Sequence, residues 1–216
     1  PASPASRVVC SSAMHPAPLF RETDPETLLA RIRAYPLGLI CVNGETTPLA
    51  AHTPVRAAMD RGIPRLHFHL SAHNPVTRRL EAGAAALIVF TGPDAYISPD
   101  WYGPVPNQVP TWNYLSVEAE GAVAPADATK FLDDVSDHFE TLLLPKPPWT
   151  RAKMAPGTFE MMLRGIRAFE LTPLRFEGIS KLSQNKTAEA REGVIEGLSA
   201  TAGGLAIAQE MRKLQG

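Results

Sequence analysis

Between Leu37 and Val123 the chain is a succession of short apolar or alternating runs joined by connections of hairpin length, which forces antiparallel pairing on whatever sheet it forms. LGLICV, the dipeptide Asn43-Gly44 and TPLAAHTPV read as two strands joined by a turn whose Asn-Gly pair favours positive φ. In RLHFHL, Leu66, Phe68 and Leu70 alternate with Arg65, His67 and His69, the pattern of a strand with one buried face. AAALIVF is apolar throughout, as expected of a central strand covered on both faces, and TWNYLSVEAEGAV and IRAFELTPLRFEG supply two further long strands. The chain is therefore mainly β with flanking helices, an α+β arrangement, and a closed antiparallel barrel with helices packed outside suits it better than a parallel sheet. A doubly wound fold is disfavoured because no G-x-G-x-x-G follows a strand and no G-x-x-x-x-G-K-[ST] is present.

Helical segments flank these strands. Asp24-Pro25-Glu26 is a helix start, followed by Leu28, Leu29 and Ile32 until Pro36 stops the pattern. A short helix carries Arg78, Arg79 and Leu80 up to Gly83, and an amphipathic helix carries Phe131, Leu132, Val135, Phe139, Leu142 and Leu143 before PKPPW breaks it. Another short helix is expected near Phe159 to Leu163, and two more follow Thr187, separated near Ala202-Gly203-Gly204. The expected organisation is a disordered leader or cloning remnant at 1–13, one barrel domain at 14–198 and a C-terminal helical extension at 199–216. Residues 1–13 lack the apolar core of an export signal. With 21 basic and 22 acidic residues the chain has no surplus for neutralising phosphates, and no helix-turn-helix is evident, so direct DNA binding is not supported. Cys10 and Cys41 do not form a disulfide framework, and no apolar run approaches the roughly 20 residues of a membrane span. A cytoplasmic location follows as the expectation.

Several segments carry candidate chemistry. GPDAYISPDWY at 92–102 and VPTWNY at 109–114 combine turn formers with aromatic rings bearing polar handles, which suits a surface that binds something flat and partly polar. Trp101, Tyr102, Trp112 and Tyr114 either form such a rim or fill a core. His67 and His69 share one strand face, with His52 and His73 close in sequence terms, yet no cysteine or carboxylate falls at ligand spacing, so no metal site is expected. Ser71, Asn74 and a helix start at the end of a strand offer either a phosphate site, with Arg78 and Arg79 adding charge, or simple capping. Lys181 to Lys186, KLSQNK, offers amine, hydroxyl and carboxamide groups, or else a solvated loop. Nothing supports nucleophilic hydrolysis, since no G-x-S-x-G occurs.

AHTP at 51–54, HLSAHNP at 69–75, FTGPDAYISPDWY at 90–102, VPTWNY at 109–114, Trp149 and KLSQN at 181–185 together resemble the PaiB-like family of FMN-binding negative transcriptional regulators, over Met14 to Leu198. The resemblance implies an FMN-binding split β-barrel of antiparallel Greek-key type, related to pyridoxamine-phosphate oxidases, flavin reductases and haem-degrading barrels. It also implies a homodimer with FMN between the subunits. The cofactor-contacting residues it implies are His52, His69, Ser71, Asn74, Ser98, Trp101, Tyr102, Trp112, Asn113, Lys181, Ser183, Gln184 and Asn185. Of these, His69, Ser71 and Asn74 would lie near the phosphate, and the chain at Ala51 and His52 would run past the ring. KLSQN and the aromatic blocks would supply the rest of the groove, from either subunit. Relatives commonly carry a lysine soon after the Trp-Tyr pair, where this chain has Gly103-Pro104-Val105-Pro106. The function implied is regulatory. The alternative is a flavin-dependent oxidoreductase in which His52, His69 or Tyr102 donates a proton; a haem-binding role has no distinct axial-ligand signal.

Overall fold

The computed structural model describes residues 14–15 and 17–214, so the expected leader at 1–13 lies outside the described residues. Six strands, β2 (Leu37–Val42), β3 (Leu49–Asp60), β4 (Ile63–Ser71), β5 (Ala86–Ile97), β6 (Thr111–Ala126) and β7 (Ile166–Lys181), follow one another around a sheet in the order β7-β4-β3-β2-β5-β6. Every neighbour is antiparallel, and β6 pairs back onto β7 from Tyr114 opposite Lys181 to Ala126 opposite Ala168, which closes the barrel. A two-residue strand, β1 (Arg21–Glu22), adds to the free side of β7 at Gly178 and Ile179. Strand β5 returns to lie beside β2 after the β2-β3-β4 meander, a Greek-key crossing. The barrel is filled by the inward residues of each strand, including Ile40, Val55, Leu66, Phe68, Ile88, Phe90, Val117, Phe169 and Leu171, none of them more than 2% exposed.

Two local expectations are corrected. The β2–β3 connection is longer than a two-residue hairpin, since Val42 opposite Leu49 is the last pair, and neither Asn43 nor Gly44 has positive φ. The loop is tied down instead, with Arg79 Nε donating to the Asn43 carbonyl at 3.0 Å. The tight hairpin lies between β3 and β4, where Arg61 and Gly62 adopt φ of +50° and +81° between the paired Asp60 and Ile63. The second correction concerns AAALIVF. Ile88 and Phe90 point into the barrel, but Leu87 and Val89 point outward and remain partly exposed, so within a single chain β5 is covered on one face only.

Strand β5 also runs on through GPDAYI, with a bulge between Thr91 and Asp94 absorbing Gly92-Pro93 before pairing resumes at Asp94 opposite Tyr114. Beyond this point the inner faces of β5 and β6 leave the barrel core and pack on helices α5 (Ala188–Ser199) and α6 (Leu205–Lys213). This second core contains Ile97, Leu115, Leu182, Val194, Ile195, Ile207 and Met211. Trp101, in a short 3-10 turn over Pro99–Tyr102, fits a notch that Gly193 and Gly197 leave on α5. Among the remaining helices, α1 (Pro25–Ala34) is capped by Asp24 and sends Leu28 and Ile32 into the barrel core. Helix α2 (Pro75–Glu81) adds Val76 and Leu80 to the same core. Helix α3 (Ala128–Thr141) lies on the outside of the barrel, packing Phe131 and Val135 against Ala168, and the short α4 (Thr158–Leu163) precedes β7.

Two outcomes test this packing. A Cβ at Gly193 would stand 2.2 Å from the Trp101 carbonyl oxygen. Gly193→Ala should therefore destabilise the protein by about 1–3 kcal/mol in urea unfolding, although helix preference alone would give a gain of up to about 1 kcal/mol. A measured gain would contradict the notch. His69 sits beneath α3 with its ring 5.4 Å from Phe131, and burial holds its imidazole below the ordinary range. A depressed imidazole leaves its stability contribution intact above roughly pH 6.5 and loses it as pH falls toward the folded-state value. Stability should drop between pH 7 and pH 5, and His69→Leu should lose part of that drop; an identical drop in both proteins would contradict the placement.

Candidate functional site

The structure distributes the candidate residues among four places on the barrel. The first is a groove of about 480 Å³ on the outer face of β2, β3 and β5, with Tyr35, Leu37, Leu39, His52, Val89 and Thr91 around it. Sheet register builds it: Leu39 stands opposite His52 on one side and Val89 on the other. Leu37 is 61% exposed there, an unusual position for leucine on a barrel strand. Cys41, one pleat further along the same face of β2, is a free thiol whose pKa burial raises. Apolar walls with an imidazole, a hydroxyl and a phenol at their edge can receive a flat, partly polar ring on one side. Of these wall residues the sequence pointed only to His52. The signal for the others was that LGLICV and ALIVF are apolar at successive positions, which supplies two apolar faces where a barrel fills only one.

The second place is the end of β4, beside the start of β3, where the Thr53 hydroxyl donates to the His69 carbonyl at 2.6 Å. Here Ser71 and Asn74 are engaged in capping. Ser71 Oγ accepts from the His73 amide at 3.3 Å and Asn74 Oδ1 from the Val76 amide at 2.9 Å. Arg78 and Arg79 direct their guanidinium groups to the backbone carbonyls of His73 and Asn43 rather than to carboxylates. The His69 side chain is not with them. It points outward from β4 beneath α3, where its Nδ1 is buried without a hydrogen-bond partner among the described residues.

The third place brings KLSQN to the aromatic blocks. Tyr102, Asn113, Lys181, Ser183 and Asn185 surround a pocket of about 290 Å³ together with Thr111 and Lys186, which lie in the VPTWNY and KLSQNK segments but were not among the implied cofactor contacts. Asn113 is fully buried, and its amide donates to Ser183 Oγ at 3.0 Å; Ser183 in turn holds a left-handed φ of +60°. Lys181 Nζ donates to Thr111 Oγ1 at 2.7 Å. Lys186 Nζ donates to Gln108 Oε1 at 2.5 Å and lies 4.5 Å from the centre of the Tyr102 ring. Burial pushes the Tyr102 phenol up, so it remains a hydroxyl donor at neutral pH. Gln184 braces the loop itself, accepting from the Leu182 amide at 2.7 Å and donating to the Ser180 carbonyl. Ser98 Oγ accepts from the Asp100 amide at 3.3 Å, and Trp101 fills the α5 notch. Trp112 lies on the outer sheet face instead, 53% exposed and edge-on to Tyr96 at 6.2 Å.

The fourth place is a cleft of about 760 Å³ between α3 and the barrel, bordered by Arg56, His67, Phe131, Asp137, His138 and Glu170. His67 Nε2 is 3.4 Å from Glu170 Oε2, and the same carboxylate takes an ion pair from Arg65 at 2.9 Å. Burial, and then the Arg56 charge, lowers the His138 pKa. Among the described residues no three His, Cys, Asp or Glu side chains gather in a way that would hold a metal ion.

Comparison with known proteins places this geometry. Residues 14–173 match the family described as "Putative FMN-binding domain", a span that includes β1 to β6 and the first half of β7. The chain is 28% identical to Protease synthase and sporulation protein PAI 2 of Bacillus subtilis, over 83% of this chain and 86% of that protein. It is 27% identical to an uncharacterised protein of Aspergillus fumigatus, over 89% and 94%. Among solved structures, the FAD and haem binding protein from Mycobacterium smegmatis superposes with a TM-score of 0.55 at 20% identity, covering 82% of this chain and 80% of that one. The flavocytochrome Anf3 from Azotobacter vinelandii gives 0.52 at 15%, covering 75% and 69%. With the barrel closed by β6 on β7 and three quarters of the chain matched, the protein belongs to the FMN-binding domain family and folds as a split β-barrel.

Proposed function

We propose that the protein is an FMN-binding homodimer whose flavin lies between two protomers, with one wall formed by the outer face of β2, β3 and β5. The observation that carries this reading is the apolar bed formed by the exposed Leu37 and the half-buried Leu39 and Val89 beside His52. A groove with one apolar wall leaves the opposite side of a flat ring in water, and a second copy supplies the facing wall. The fit to FMN rests on the chemistry of the wall: aliphatic side chains for the ring face, with the His52 imidazole, the Thr91 hydroxyl and the Tyr35 phenol for its polar edge. At the neighbouring end of β4, the Ser71 hydroxyl and the Arg78 and Arg79 guanidinium groups are suited to the phosphate. KLSQN and the aromatic blocks of the same protomer lie around a separate pocket, so any part they take in the groove is through the dimer.

The bound flavin supplies electron-transfer chemistry, and the chain's part is to orient it and limit its contact with water. We assign the protein a regulatory role exercised through that bound flavin and through protein contacts, because the near balance of 21 basic and 22 acidic residues gives little attraction to DNA. No helix among the described residues is long and apolar enough to cross a membrane, and a reducing cytoplasm suits the free Cys41 thiol in the groove wall. A second reading, a flavin-dependent oxidoreductase, draws support from the flavin- and haem-binding neighbours and from His52, an imidazole able to deliver a proton at the groove.

Mixing the purified chain with FMN and removing the excess should leave a perturbed, protein-bound flavin spectrum on a species that elutes as a dimer. A colourless monomer would overturn the proposal. Leu39→Glu places a charge on the apolar bed and should weaken both FMN retention and dimerisation by about tenfold or more without unfolding the barrel, because Leu39 points away from the core. Unchanged FMN affinity in that variant would show that the flavin sits elsewhere. Steady consumption of NAD(P)H by the flavin-loaded protein would favour the oxidoreductase reading over the regulatory one.

A further inference from the structure

The pocket between the KLSQN loop and the start of β6 has an electrostatic character that the flavin groove does not explain. Two ammonium groups and an imidazole, from Lys181, Lys186 and His15, border about 290 Å³ of space, and among the described residues no carboxylate lines it. In a chain with as many acids as bases this is a marked segregation. Lys130, Lys146 and Lys213 are ion-paired with neighbouring carboxylates. Lys181 and Lys186 are held by neutral oxygens, Thr111 Oγ1 and Gln108 Oε1, so among the described residues their charge is positioned without being neutralised.

The support beneath the two lysines is built rather than incidental. The loop that carries them turns at Ser183 in a left-handed conformation, which is held by the fully buried Asn113 amide, and Gln184 bonds both to the Leu182 amide and to the Ser180 carbonyl. Tyr102 offers its ring face to Lys186, fixing that ammonium over the pocket. Asn185 adds an exposed carboxamide, and Phe20 and Val109 give the pocket an apolar side. Two fixed positive charges match a dianion. Neutral hydroxyl and amide donors satisfy its remaining oxygens, and the volume, at the lower end of the range for small-molecule sites, leaves space for a modest organic body.

We infer that this pocket binds a phosphate monoester, with Lys181 and Lys186 on the phosphate and the Phe20 and Val109 side against the organic group. The ligand is a small phosphorylated metabolite distinct from the flavin, whose own phosphate the proposed function gives to Ser71, Arg78 and Arg79, and one set of titrations separates the two.

The test uses the full, flavin-free chain and phenyl phosphate as the probe, followed by calorimetry at low ionic strength, with phenol as the uncharged comparison. Saturable binding of phenyl phosphate and none of phenol is expected. Lys181→Gln should weaken it by about tenfold, and so should Asn185→Asp, which sets a carboxylate at an exposed position where the fold is indifferent to it. Lys146→Gln, on a lysine paired elsewhere, should leave it unchanged. Phenyl phosphate that binds the FMN-loaded protein without releasing flavin identifies a separate metabolite site. Release of FMN by the probe, together with a loss of FMN but not riboflavin affinity in Lys181→Gln, would put the flavin's own phosphate here and overturn the assignment to a separate metabolite. Absence of saturable binding, or binding indifferent to both Lys181→Gln and Asn185→Asp, would overturn the inference. Because the first titrations contain no flavin, the pocket is judged even if FMN does not bind at all.

Discussion

The pairing of β6 with β7 along almost their whole length is the constraint on which the rest of this structure depends. Without it the sheet would be an open ribbon with two long edges; with it the six strands enclose a core whose largest side chains, Phe68, Phe90 and Phe169, are shielded from water. Closure also fixes what lies outside. Once Ile88 and Phe90 point inward, Leu87 and Val89 must point outward, and the same pleat turns Leu37, Leu39 and Cys41 to the surface. Each leucine or valine left at such a surface forgoes about 1.5–3 kcal/mol that full burial would contribute. The proposed flavin groove and the proposed dimer rest on one geometric fact: β2 and β5 carry more apolar side chains than one barrel interior can hold.

The second core follows from the same closure. Strands β5 and β6 are longer than the barrel needs, and their far ends carry Ile97 and Leu115 onto α5 and α6. Their inner face there meets polar residues as well, and Asn113 with Ser183 forms a fully interior hydrogen bond that shapes the KLSQN turn. Rigid strands therefore set the positions of Lys181 and Thr111, while the loop needs only to present Lys186 and Asn185. That division, with charge on a firm base and a shorter adaptable rim, favours binding because little side-chain freedom remains to be lost.

Much of this was legible in the residues. Alternation in RLHFHL and the long runs around Trp112 and Phe169 indicated the barrel, and the motif blocks indicated the family, because turn chemistry and period-2 patterning are local properties. Other features are products of packing and escaped local reading. Asn43-Gly44 resembled a tight turn, but the pull of Arg79 on the Asn43 carbonyl belongs to a contact with α2, and the actual tight turn used Arg61, a residue with no preference for positive φ. Trp101 looked like part of a binding rim, yet the two glycines that make room for it, Gly193 for its carbonyl and Gly197 for its indole, lie some ninety residues along the chain. His69 shared a motif with Ser71 and Asn74, but strand alternation and the position of α3 put its ring in an apolar setting beside Phe131. Lys186 was read as one amine of the KLSQNK segment but not as a cofactor contact, because nothing local distinguishes a lysine that will find no carboxylate from one that will.

The central claim is that the outer face of β2 and β5 is covered by a second copy of the chain. Cys41 lies on that face as a free thiol, and its labelling rate by a thiol reagent, in a Cys10→Ser background, reads the cover directly. The account predicts labelling that slows as protein concentration rises through the association range, and slows further when FMN is bound. A rate that stays the same at every concentration and with or without FMN would contradict it.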